Sequence, residues 1–161
     1  MVKTEEMIGD LGAGKLSPHF TLKEMTKTSV KMKNVPTGAQ VENLKRLCGW
    51  LEQLRARWNM MYGDGDDPVV INSGYRSPQV NSAVGGVSTS NHLTGCAADI
   101  RVSGQDQLIR YAAILLDISD ETREDFDELL LERNSKGSYW LHFAVRPPEQ
   151  GNRRKVRFIK A

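Results

Sequence analysis

The longest periodic stretch of the sequence reads TGAQVENLKRLCGWLEQLRARWNMMY. Val41, Leu44, Leu47, Cys48, Leu51, Leu54, Trp58 and Met61 recur mostly in steps of three and four, which on an α-helix makes one apolar stripe. Pro36 lies just before it, and the Thr37 hydroxyl can cap the first turn. The stripe stops before GDGDDP, a loop by composition. Its aromatic and Met side chains are therefore read as core.

The other apolar segments are too short for long helices. VVINS, CAADIRV, DELLLE, YWLHFAV and KVRFI read as strands, the last at a sheet edge. RNSKGS joins the third and fourth of these as a hairpin with Gly137 near its tip. SPHFTLKEM predicts a turn into a short helix, with Thr21 and Glu24 forming a capping box. A turn of helix is expected at PQVNSAV, and a longer one over GQDQLIRYAAILLDI, framed by Ser103 and Asp106. SDETREDF reads as an acidic connector or a second short helix. Helices followed by a small, mostly antiparallel sheet give an α+β fold. Residues 1–16 read as a flexible arm and residues 17–161 as a single domain.

Composition narrows the function classes. The net charge is +2, so the total points to no strongly charged partner. Arg146, Arg153, Arg154, Lys155, Arg157 and Lys160 cluster at the end and read as a solvated tail. With aromatic residues sparse, nucleic acid is not an expected partner. No stretch approaches the roughly 20 apolar residues of a membrane span. The start lacks the basic and apolar regions of a signal peptide. Cys48 and Cys96 are too few and too far apart for a disulfide framework or a CxxC metal site, and read as free buried thiols.

SGYRSPQVNSAVGGVSTSNHLTG is long, irregular and rich in Gly, Ser and Asn; such loops inside compact domains usually carry function. The chain has three histidines, and two occupy unusual places. His92 closes this loop. His142 sits in the apolar strand YWLHFAV, where Trp140, His142 and Ala144 share a face. Asp99 lies inside the apolar strand CAADIRV, where an unpaired carboxylate costs several kcal/mol. On these residues alone Asp99 has two readings: a metal ligand, or an acid paired with Arg76 or Arg101. His19 has nothing to place it near the others and reads as structural. So do Asn81 and Ser88.

Three ordered motifs carry a resemblance. They are Gly74-Tyr75-Arg76-Ser77, then Ser90-Asn91-His92-Leu93-Thr94-Gly95-Cys96-Ala97-Ala98-Asp99, then Trp140-Leu141-His142. From SPHFTLKEM to FAV the chain resembles the zinc D-alanyl-D-alanine carboxypeptidases and peptidoglycan endopeptidases. These belong to the lysostaphin, D-Ala-D-Ala peptidase and hedgehog metallopeptidase group. The resemblance implies a sheet carrying one zinc ion on His92, Asp99 and His142. Two imidazoles and a carboxylate leave a position open, as catalytic zinc sites do. The small residues Gly95 and Ala97 allow close approach of backbone or substrate.

The family places a general base, a glutamate, shortly before the last histidine. Glu132 is the nearest one here, ten residues upstream, and Tyr139 stands where some relatives have theirs. Arg76 either clasps a substrate carboxylate or the developing oxyanion, or braces the long loop. Ser90 either binds substrate or caps the loop. The implied activity is hydrolysis of a peptide bond in peptidoglycan stem peptides by a monomer. A phage or prophage endolysin reaching the wall after release is one context, and a cytoplasmic peptidase of wall fragments another. A zinc-containing module that binds cell wall without cleaving it is the alternative.

Overall fold

A computed structural model describes residues 14–161. The expected arm lies outside the described residues up to residue 13. Within the described residues, Lys15–Ser17 form a strand. In chain order the elements are β1 (Lys15–Ser17), β2 (Phe20–Thr21), α1 (Leu22–Met25), α2 (Gly38–Met61), β3 (Ile71–Ser73) and α3 (Pro78–Ala83). They continue with β4 (Ala97–Arg101), α4 (Gln105–Thr122), β5 (Glu128–Arg133), β6 (Tyr139–Ala144) and β7 (Lys155–Lys160), and short 3-10 turns occupy Asn91–Thr94 and Pro148–Gln150. The fold is α+β.

The capping box at Thr21 and Glu24 forms as the sequence predicts. Thr37 caps α2 in the same way, with Gln40 returning the bond. The acidic segment after residue 118 is split, with residues 119–122 helical and residues 123–126 connecting to β5. Helix α4 runs through to Thr122 and stops at Arg123, which adopts the left-handed conformation. Among the described residues no helix is long and apolar enough to cross a membrane.

Strands β3 to β7 form one sheet in the order β3-β4-β6-β5-β7. The first three pairings are antiparallel, and β7 lies parallel to β5 at the edge. Alternation gives the sheet two faces. Ala98, Ile100, Leu129, Leu131, Leu141 and Phe143 face α2 and α4 and join the core. The opposite face carries the polar residues in rows set by the register. Arg101, Trp140, Glu132 and Ile159 form one row. Asp99, His142, Leu130 and Arg157 form the next. Ala97, Ala144, Glu128 and Lys155 form the third.

Two glycines let the loop close onto this face. Gly74 lies so near Met25 that a Cβ would sit 2.4 Å from the Met25 carbonyl oxygen. Gly95 has φ +76°, and its Cβ would sit 2.6 Å from the Gln40 carbonyl oxygen at the start of α2. Gly95→Ala should therefore combine left-handed strain with a backbone clash. The expected loss is about 1–3 kcal/mol in the urea unfolding free energy.

Candidate metal centre

His92 sits in the 3-10 turn just before β4, and Ser90 caps that turn by accepting from the His92 N–H at 3.1 Å. This is the cap contact that one of the two readings of Ser90 expects. The Gly74–Ser77 turn packs directly on this one. The Arg76 N–H donates to the His92 carbonyl at 3.0 Å, and the Tyr75 N–H to the Met25 carbonyl at 2.7 Å. Two of the sequence motifs are in this way a single folded unit.

Asp99 and His142 are direct cross-strand neighbours on β4 and β6. Asp99 Oδ1 lies 3.3 Å from His92 Nε2 and 3.1 Å from His142 Nδ1. One donor atom from each of the three residues lies within 4.8 Å of the others. The rings meet edge to face, 5.1 Å apart, and both are buried, at 2% and 8% exposure. Two donors about 2.0–2.1 Å from one tetrahedral ion stand about 3.3 Å apart. The spacing and the donor types both fit zinc.

The far nitrogen of each ring is held by an oxygen. His92 Nδ1 donates to the Gly74 carbonyl at 2.7 Å, and His142 Nε2 to Glu128 Oε1 at 3.0 Å. These contacts leave the second nitrogen of each ring facing Asp99. Burial opposes a charge on His142, but Asp99 and Glu128 outweigh it and push its pKa up to about 9. Burial also works against the Asp99 carboxylate. The two histidines overcome that and hold it well below the ordinary range.

Arg76 makes contacts with Asp99 and with the loop. Its guanidinium donates to Asp99 Oδ2, Ser73 Oγ and Asn81 Oδ1 at 3.0, 3.0 and 3.3 Å. It steadies Asp99 and the loop. Asn81 in turn holds the Val87 carbonyl, as expected of a loop residue. His19 pairs with Glu52 beside β1, outside the cluster, in line with a structural role.

Two glutamates share the face with this cluster. Glu128, one row to one side, was not singled out from sequence, although alternation puts it on the face of Glu132. Its Oε1 accepts from both His142 and Asn91, the latter at 2.7 Å. Burial works against its charge, yet His142 and Asn91 hold its pKa below the ordinary glutamate value. Glu132 lies one row to the other side of His142, half-buried. Its Oε2 accepts from the Trp140 indole at 2.6 Å. Burial is the main cause that raises its pKa. Glu128 is thus committed to His142, whereas Glu132 keeps one carboxylate oxygen without a hydrogen-bond partner and has its pKa raised, the direction a proton acceptor needs. Glu128→Ala should weaken zinc binding by about 10–100-fold in a chelator competition, with little change in unfolding.

A buried charge cluster anchors this arrangement. Asp127 is fully buried and accepts from the Arg153 backbone and guanidinium and from Asn91 Nδ2. Arg146 adds an ion pair at 3.3 Å and donates to Asn91 Oδ1. Burial opposes the Asp127 charge, but Arg153 leads the contacts that bring its pKa down to about 2. Arg154 pairs with Asp120 and Asp125. Arg146, Arg153 and Arg154 are thus not part of a solvated tail, because they neutralise buried or nearby acids, whereas Arg157 and Lys160 are exposed. Both cysteines are free and buried, as expected.

Comparison with known proteins gives two matches. The pattern of a family described as Peptidase M15 matches residues 18–122, which include His92, Asp99 and Arg76 but end before Glu132 and His142. A stretch of 46 residues, 29% of this chain, is 46% identical to the zinc D-Ala-D-Ala carboxypeptidase of Streptomyces albus G. It spans 18% of that protein's length.

Proposed function

The chain belongs to the peptidase M15 family, and from that premise we propose that it is a zinc-dependent peptidase hydrolysing a peptide bond in bacterial peptidoglycan. The observation that carries the reading is the convergence of His92, Asp99 and His142 on one point, with the raised-pKa Glu132 on the same sheet face. The similarity to a D-Ala-D-Ala carboxypeptidase supports wall stem peptides as the substrate class.

In this proposal His92 Nε2, His142 Nδ1 and an Asp99 oxygen hold zinc. When bound, zinc supplies Lewis acidity that polarises the scissile carbonyl and acidifies water. Glu132 takes the proton of the attacking water on its free Oε1 and passes it to the leaving amine. Trp140 keeps that carboxylate aimed by holding Oε2. Gly74 and Glu128 orient the two imidazoles, and Arg76 orients Asp99.

Purified protein incubated with isolated cell walls, with and without a chelator, tests the reading. New amino termini or free D-Ala should appear, stop with chelator and return on adding zinc. Release no higher than background from a zinc-loaded, folded protein would sink the peptidase assignment in favour of a wall-binding module.

A further inference from the structure

The site face holds a second arginine that is placed very differently from Arg76. Arg101 follows Asp99 by two residues on β4, on the same face, and is exposed. Its guanidinium has no hydrogen-bond or ion-pair partner among the described residues. It lines a polar cleft of about 390 Å³ together with Asn72, Ser103 and Ser138, and it supplies the only charge among the cleft's lining residues. The cleft thus offers hydroxyls and an amide around one unsatisfied, permanently charged fork, which suits a carboxylate.

The register says where that carboxylate would lie. Arg101 and Glu132 flank Trp140 on the same row, next to the row of Asp99 and His142. In the proposed reaction Glu132 returns the proton to the leaving amine, so the leaving side of the substrate lies toward this row. The two rows stand about 7 Å apart along the strand, roughly the span of two peptide residues.

We propose that Arg101 is a specificity-determining residue, which binds a free carboxylate of the substrate on the leaving-amine side, within about two residues of the scissile bond. The proposal rests on the peptidase reading for its direction. The carboxylate has two possible sources. One is the C-terminus of a peptide cut by a carboxypeptidase, and the other is the free carboxylate of a residue such as D-Glu beyond an internal bond.

Two peptide pairs test this by calorimetry on the zinc-loaded full chain. The first is diacetyl-L-Lys-D-Ala-D-Ala against its C-terminal amide. The second is a peptide containing L-Ala-D-Glu against the same peptide with that carboxylate amidated. In one pair the acid should bind about ten- to hundredfold more tightly than the amide. Arg101→Gln should erase that difference without moving the unfolding midpoint, since the side chain is exposed. The pair that responds identifies the source. Equal binding of acid and amide in both pairs would overturn the proposal, as would a preference that persists in Arg101→Gln. Acid preference that depends on Arg101, without any cleavage, would support the carboxylate site and refute the peptidase reading separately.

Discussion

A Glu132→Gln protein should keep zinc as tightly as the parent chain and lose about 10²–10⁴-fold in kcat on wall peptides. Metal analysis and steady-state hydrolysis on the same preparation check both halves. The reason lies in how differently the two glutamates beside His142 are used. Glu128 Oε1 is saturated by His142 and Asn91, whereas Glu132 has one oxygen on Trp140 and the other without a partner. Glutamine preserves the shape and can still accept from Trp140, so packing should survive. What disappears is the ability to take a proton from water. A Glu132→Gln enzyme with parental kcat would move the base elsewhere and leave Glu132 as a support for Trp140.

His142→Ala has the other large expected effect: zinc content falls to that of a chelated control and hydrolysis falls by about 10³-fold or more, as several kcal/mol of charge stabilisation is lost. In the proposed site His142 supplies one of three donors, and it is also the group between Asp99 and Glu128. Removing it costs the metal a ligand and brings two carboxylates face to face without a cation. Because that repulsion could also loosen the sheet, His142→Gln and a circular-dichroism comparison belong beside it. Zinc stoichiometry unchanged in a folded His142→Ala protein would show that the metal, if bound, is held elsewhere. The comparison matters because the family pattern stops at residue 122, so the third donor is supported by geometry and by Trp140-Leu141-His142, not by that match.

Taken together, the two experiments separate a zinc site from a working active site. Losing metal with His142 and retaining it with Glu132→Gln would identify both. Losing metal in both would mean that Glu132 supports the ligands, a role the structure gives to Glu128.

Much of this protein is written locally. The stripe from Val41 to Trp58, the Thr21 and Thr37 caps and the Gly137 hairpin depend on residues a few positions apart, so periodicity and capping chemistry reveal them; Met61, read as the end of the stripe, is exposed. His92 and Asp99 are legible for a similar reason: a turn feeding directly into a strand fixes their separation. The continuation of α4 to Thr122 was less so, since SDET is as compatible with a connector as with a last helical turn.

The partners of the ligands were decided by tertiary structure. Which arginine meets Asp99 depends on how the Gly74–Ser77 turn docks against the His92 turn, a contact made across the fold. That docking engages Arg76 and leaves Arg101 free. Which glutamate meets His142 depends on the register of β5 against β6. Alternation places Glu128 and Glu132 on one face, but only the diagonal contact gives Glu128 to the imidazole and Glu132 to Trp140. Arg146 and Arg153 depend in the same way on the buried carboxylate of Asp127. Sequence by itself therefore determined most of the longer elements, and the family resemblance carried by its motifs supplied the three candidate donors. Long-range packing decided which charges neutralise one another and which remain available, because a side chain's partner across a sheet is set by register and not by its neighbours along the chain.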